Sequence, residues 1–168
     1  MRPPRGVVPE VPGPGQESVW DYPRPPALRA DAREVVVVLG GVEVCRTVRG
    51  LTVLETSHPP TWYLPAEDWA PGALRPGKGT SFCEWKGTAV YLDVLAGGHV
   101  AEAAAWTYPE PSAAFSRLAG HISVYPARMD LCTVAGEVVR PQEGGFYGGW
   151  VTSDVVGPFK GGPGSWGW

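Results

Sequence analysis

A mainly β domain is what this sequence predicts, and three features carry the prediction. Glycine (23) and proline (19) are used heavily among 168 residues while 43% of the chain is hydrophobic, the balance of a folded but turn-rich protein. Short apolar or alternating runs recur between glycine turns, as in Glu34–Leu39, Gly40-Gly41 and Val42–Val48, which is the pattern of paired strands. Only Pro111–Gly120 reads as a helix, a short one with Ser112 near its start and Gly120 closing it.

Taken along the chain, residues 1–16 are expected to form a disordered or loosely packed arm. Pro3, Pro4, Pro9, Pro12 and Pro14 leave too little apolar surface to offset the entropy of ordering. Glu17–Ala27 reads as an extended segment, because a residue before proline is held away from the helical region. Gly40-Gly41 supplies the positive φ angles of a two-residue hairpin turn, and Leu51–Thr56 gives a third strand. Pro65–Trp69 reads as one helical turn with proline at its first position, and Pro71–Gly79 as a flexible basic loop. Thr80–Trp85 and Thr88–Leu95 flank a turn at Lys86-Gly87, and Gly97-Gly98 leads into Val100–Trp106. Ile122–Tyr125, Met129–Val134 and Glu137–Val139 complete a β domain over 17–140. Residues 141–168 alternate glycine with aromatic rings, so they are expected to pack on the domain as an irregular extension.

A chain of this length forms one domain that buries roughly 70% of its unfolded surface. Charged residues make up 18% and the formal net charge is −3, so no broad electrostatic footprint for nucleic acid is present and none is expected as partner. Cys45, Cys83 and Cys132 are scattered singly, which signals neither a zinc knuckle nor a disulfide framework and suits a reducing compartment. No apolar run of signal-peptide length follows Arg2 and Arg5, and no stretch of ~18 apolar residues occurs. A cytoplasmic protein without a membrane partner is the expectation.

The densest chemistry lies in Leu54–Pro65, where Glu55, Ser57, His58, Trp62 and Tyr63 sit among prolines that restrict the backbone. Read as extended chain, Glu55 and Ser57 share one face and His58 takes the other, which argues against a hydrolytic triad. His58 with Glu55 remains a candidate acid–base pair, because an imidazole titrates near neutrality; a structural histidine in a rim loop is the competing role. A second constellation is Cys83-Glu84-Trp85-Lys86-Gly87, in which Lys86 is a candidate anion contact or a solvated charge. Trp20, Tyr22, Trp62, Tyr63, Trp85, Trp106 and Tyr108 are packing residues at the least, and stacking walls for a planar ligand if they line one pocket. The pattern Trp-any-Tyr-Pro-any-Pro occurs at Trp20–Pro25 and again at Trp106–Pro111, pointing to two related β layers meeting around paired aromatic clusters. His58, His99 and His121 are too far apart to read as metal ligands.

Four segments in this order and spacing, Ser18–Pro25, Glu55–Pro65, Cys83–Gly87 and Ala105–Pro111, resemble the bacterial and fungal family called domain of unknown function 427. The likeness covers about Glu17–Arg140, and the tail resembles the extension of some actinobacterial members. It implies a β-tent-like fold, two antiparallel sheets meeting at a ridge. Many β-tent relatives hold zinc through paired cysteines, which this chain lacks. A nucleotidyltransferase-like label sometimes given to the family finds no glycine-rich phosphate loop before a helix and no Asp-x-Asp pair here.

Three functions follow as expectations. The first is binding of a small polar or planar molecule in an aromatic pocket between the two sheets, with Glu55, His58, Tyr63 and Lys86 as polar contacts and Trp20, Tyr22, Trp62, Trp85, Trp106 and Tyr108 as further wall. The second is a small-molecule enzyme using His58 and Glu55. The third is a protein-interaction module acting through the aromatic tail. Cofactor, ligand identity and oligomeric state are not encoded in any motif.

Overall fold

The computed structural model describes residues 2–168; residue 1 of the arm expected over 1–16 lies outside the described residues. The fold is mainly β, built of antiparallel sheets that do not close into a barrel. Its strands are β1 (Glu17–Ser18), β2 (Ala27–Asp31), β3 (Val35–Leu39), β4 (Val42–Thr47), β5 (Gly50–Leu54), β6 (Thr61–Pro65), β7 (Leu74–Cys83) and β8 (Gly87–Ala96). They continue with β9 (His99–Thr107), β10 (His121–Val124), β11 (Leu131–Val134), β12 (Glu137–Val138), β13 (Arg140–Pro141), β14 (Trp150–Val151) and β15 (Val155–Val156).

Seven strands form the larger sheet in the order β2-β5-β6-β10-β9-β8-β7, and four form the smaller in the order β12-β11-β3-β4. Every neighbouring pair in both is antiparallel. The β3–β4 hairpin turns through Gly40-Gly41 at φ of 59° and 73°, as its sequence demands. A Cβ on Gly40 would overlap the Ala96 carbonyl, and one on Gly97 would overlap the Gly40 carbonyl. The hairpin turns of the two sheets therefore meet backbone to backbone, and only glycine permits that approach.

Between the sheets lies the main core. Val35, Val37 and Leu39 from β3, Val44 and Cys45 from β4, and Cys132 and Val134 from β11 pack against Trp62 and Leu64 of β6, Ile122 and Val124 of β10, and Ala105 of β9. Trp150 from the C-terminal segment joins this core, fully buried, 6.1 Å from Trp62 between ring centroids, with its Nε1–H donating to the Val124 carbonyl at 3.2 Å. The opposite face of the large sheet carries a second cluster, Leu51, Val53, Tyr63, Trp106, Tyr108, Phe115 and Leu118. Alternation along β6 accounts for the split, since Trp62 and Leu64 point one way and Tyr63 the other.

Three local expectations change. Residues 71–79 are not a flexible loop, because β7 begins at Leu74 and pairs with β8 through an irregular register between Pro76 and Thr80. An edge strand tolerates proline there, and Arg75 ties the segment to Asp93 at 2.8 Å. Glu17–Ala27 is not uniformly extended, since Val19–Asp21 forms a 3-10 turn started by the Ser18 hydroxyl, which accepts from Trp20 N. The short helix at 111–120 is a 3-10 segment, Ala113–Leu118, and Ser112 does not cap it; its hydroxyl donates to the Trp85 carbonyl at 2.6 Å.

The repeated aromatic pattern does not build equivalent layers. Trp106 sits in β9, whereas Trp20 sits in the 3-10 turn within a third cluster of Val19, Trp20, Tyr22, Leu54 and Val155. Both chain ends reach this region. Val7 and Trp168 pack against the cluster, Glu10 N donates to the Gly157 carbonyl at 2.8 Å, and β1 pairs in parallel with β15. Among the described residues no helix is long and apolar enough to cross a membrane.

Trp150→Ala is expected to cost about 3–5 kcal/mol, the range for emptying a large buried aromatic site. Trp166→Ala, at a ring 81% exposed, is expected to stay within about 0.5 kcal/mol. Urea denaturation of both variants checks the contrast.

Candidate functional site

A cavity of about 520 Å³ opens on the outer face of the seven-stranded sheet. The space between the sheets, where the pocket was expected, is filled by the apolar core; the cavity lies on the face that Trp62 and Leu64 do not use. Its floor is Val53 of β5, Thr61 and Tyr63 of β6, Trp106 of β9 and Tyr91 of β8. One side is the β7–β8 turn, Cys83 to Lys86, and the other is the C-terminal segment through Gln142, Phe146, Tyr147, Gly148 and Lys160.

Of the residues singled out in the sequence, Glu55, His58, Tyr63, Trp85, Lys86, Trp106 and Tyr108 line this cavity. Three do not. Trp62 is in the inter-sheet core, and Trp20 and Tyr22 belong to the third cluster, where Trp20 Nε1–H donates to the Pro158 carbonyl at 2.9 Å and Tyr22 Oη–H donates to Glu17 at 2.8 Å. Tyr91, Tyr125, Gln142, Phe146, Tyr147 and Lys160 are also in the lining. The glycine–aromatic alternation marked Phe146 and Tyr147 as packing residues, while Gln142 and Lys160 carry no local pattern.

The floor is a set of interlocked rings. Trp106 Nε1–H donates to Tyr63 Oη at 3.3 Å with the rings nearly perpendicular, at 89°. Tyr125 lies 4.6 Å from Trp106, and Tyr108 lies 6.2 Å from Tyr63. Burial raises the pKa of Tyr63 and of Tyr108 well above the ordinary phenol range and pushes Tyr125 up to about 12, so all three are neutral hydrogen-bonding groups rather than bases. A Cβ on Gly148 would run into the Trp106 ring, and one on Gly149 would meet Pro59 and the Gln142 amide oxygen. Gly148-Gly149 lets the C-terminal segment lie directly on the floor.

His58 reaches the cavity because the chain turns instead of running extended. Ser57 adopts a φ of 71°, His58 N donates to the Glu55 carbonyl at 3.0 Å, and Glu55 and His58 both line the cavity. The Ser57 hydroxyl is buried with no hydrogen-bond partner among the described residues, so no Ser–His pair exists for a triad. Glu55 accepts from Arg24 at 3.2 Å, and Arg24 also donates to the Thr56 carbonyl at 2.9 Å.

The tautomer of His58 follows from Gln142. Its Oε1 accepts from Gly149 N at 3.1 Å and its Nε2 donates to the Lys160 carbonyl at 2.7 Å, so the same Nε2, 3.1 Å from His58 Nδ1, must donate to it. The ring proton then sits on Nε2. Burial, followed by the positive charges of Lys160, Arg24 and Lys86, pushes the His58 pKa down to about 3. The ring edge packs on Tyr147, 4.7 Å away at 71°. A neutral imidazole fixed this way donates one hydrogen bond and has no lone pair free to take a proton.

Metal chemistry of the β-tent kind does not fit these residues. Among the described residues no group of three or more His, Cys, Asp and Glu side chains converges. Cys45 and Cys132 are core thiols whose pKa burial raises to about 12.

Stability should record the neutral His58. An unfolded chain takes up the imidazole proton below about pH 6.5 while the folded one does not until about pH 3. Wild-type stability therefore falls with decreasing pH through that window, by about 1.4 kcal/mol per pH unit from this group. His58→Gln removes that share of the slope. Urea denaturation of both proteins between about pH 7 and pH 4 measures it, and parallel profiles would rule the neutral imidazole out.

Residues 27–135 match the family described as domain of unknown function DUF427. No curated protein matches the chain. The matched segment takes in most of both large sheets, with Glu55, His58, Tyr63, Trp85, Lys86, Trp106 and Tyr108 inside it and the C-terminal wall of the cavity outside it. By that match the chain belongs to the DUF427 family.

Proposed function

We propose that this protein binds a small planar molecule bearing polar groups in the cavity on the outer face of the seven-stranded sheet. The observation that carries the reading is the convergence of Tyr63, Trp85, Tyr91, Trp106, Tyr108, Tyr125 and Tyr147 with Glu55, His58, Gln142 and the two lysines on one space of about 520 Å³. Ring walls with a few fixed polar groups are what orient a flat ligand, and a volume of this size lies within the ordinary range for small-molecule sites. Residues 141–168 act with the β domain in this reading, since they provide a wall. Three free cysteines suit a reducing cytoplasm.

The acid–base alternative with His58 and Glu55 is less well supported. Nδ1 of His58 is occupied by Gln142 and the ring is held neutral, while Glu55 is engaged by Arg24. His58 in the binding reading donates from Nε2 and selects an acceptor on the ligand.

A thermal-shift screen of planar aromatic and heteroaromatic compounds tests this. A ligand at a hundred times its Kd adds about 2.7 kcal/mol, which raises Tm by roughly 5–10 °C in a protein of this size. Trp85→Ala, at a half-buried wall position, should abolish the shift and leave the unliganded Tm within about 2 °C. A screen in which no compound class moves Tm removes the proposal.

A second outcome concerns the C-terminal wall. Gly148→Ala should displace the segment from Trp106, exposing the 141–149 stretch to protease and weakening any ligand found by at least tenfold, with the sheets still folded. Limited proteolysis and circular dichroism together read the result.

A further inference from the structure

Resting on the binding reading above, we infer that the ligand carries an anionic group, a carboxylate or a phosphate, on its flat ring system, and that Lys86 and Lys160 receive it. The two ammonium groups approach the cavity from opposite walls, Lys86 from the β7–β8 turn and Lys160 from the C-terminal segment.

Their partners are rings and main-chain oxygen rather than side-chain carboxylates. Every ion pair among the described residues has an arginine as its cation. Among the described residues neither cavity lysine has an Asp or Glu side chain within ion-pair distance. Lys86 Nζ lies 5.7 Å from the centroid of Tyr108, and Lys160 Nζ lies 5.6 Å from that of Tyr147 while donating one of its hydrogens to the main-chain oxygen of Trp168, the last residue, at 2.8 Å, which leaves its other two N–H groups for a ligand. A ring face balances an ammonium only in part and leaves it able to bind an anion. The acidic residues of the lining do not cancel this charge. Glu55 is matched by Arg24 at 3.2 Å, and Glu84 is an exposed residue that pairs with neither lysine.

The surroundings agree in sign. Lys160, Arg24 and Lys86 are the charges that, after burial, hold His58 neutral, so a positive potential reaches the imidazole from three segments of chain. With its proton on Nε2, His58 offers the anion a hydrogen bond without adding a charge of its own. A ligand oriented by these groups has its ring system between Trp85 and the Trp106–Tyr125 pair, and its anionic end toward the lysines. Cationic aromatic molecules of the same shape are rejected by repulsion from both.

Isothermal titration of the full chain tests the sign of the ligand with three indoles of similar shape: indole-3-acetate, its neutral amide indole-3-acetamide, and the cation tryptamine. The acetate should bind at least tenfold tighter than the amide and the amine weakest, with the acetate-to-amide ratio shrinking as sodium chloride is raised. Lys86→Met should reduce that ratio to near one. Lys160→Met should do the same, with circular dichroism and Tm confirming that the C-terminal segment stays in place. Phenyl phosphate against indole-3-acetate then decides which anion the pair of lysines prefers. Equal binding of acetate and amide, tighter binding of tryptamine, or a ratio that survives both lysine variants overturns the inference and leaves the aromatic cavity standing as a binding site. If none of the probes binds, this inference falls, and the binding reading is judged separately by the wider screen.

Discussion

The central strands of the large sheet are buried on both faces, and much of the architecture answers that constraint. Along β6, Trp62 and Leu64 need cover on one side and Tyr63 on the other, and all three are almost inaccessible to water. Sheets with two apolar faces require a layer on each. The four-stranded sheet supplies one, packed through β3, β4 and β11, with Trp150 filling the space beside Trp62. No second sheet is available for the other face. It is covered by the Ala113–Leu118 segment and by a ring cluster over which the C-terminal segment is laid, and the cavity is what that looser layer leaves open.

Electrostatics in the cavity follow from the same arrangement. Side chains brought in from the segment before β2, a hairpin turn and a late irregular segment concentrate three cations around one buried imidazole. An arginine there is matched by Glu55 in a half-buried pair, whereas the lysines rest on phenol rings. Arginine's planar fork suits fixed carboxylate pairing and a lysine's point charge does not demand it.

Much of the fold was legible because it is local. Gly40-Gly41 and Gly97-Gly98 join strands adjacent in sequence, and alternation marks those strands directly. What escaped is non-local. β10 inserts between β6 and β9, although residues 66–120 separate it from β6. Trp62 and Tyr63 were both read as wall, yet neighbours on a strand face opposite ways and only Tyr63 reaches the cavity. Alternation predicts extended chain at Glu55–His58, but Ser57 sits in the left-handed region without the glycine or asparagine that would mark it, and the turn it makes with the His58 N to Glu55 carbonyl bond brings both side chains to the cavity. Trp20-Asp21-Tyr22 and Trp106-Thr107-Tyr108 show the limit of motif matching, since equal spacing produced a 3-10 turn in one and a strand in the other.

The glycine contact between Gly148 and Trp106 has an evolutionary reading. The C-terminal wall rests on the floor at Gly148 through bare backbone, so the Trp106 ring sets no side-chain shape there for the wall to match. The family match ends at residue 135, before that wall begins. A chain sharing only the matched segment inherits the floor and Lys86 but must find its own roof. Under the proposed binding function, such an arrangement divides the cavity between two parts, the matched sheet shaping the slot for the rings and the later segment shaping what enters it.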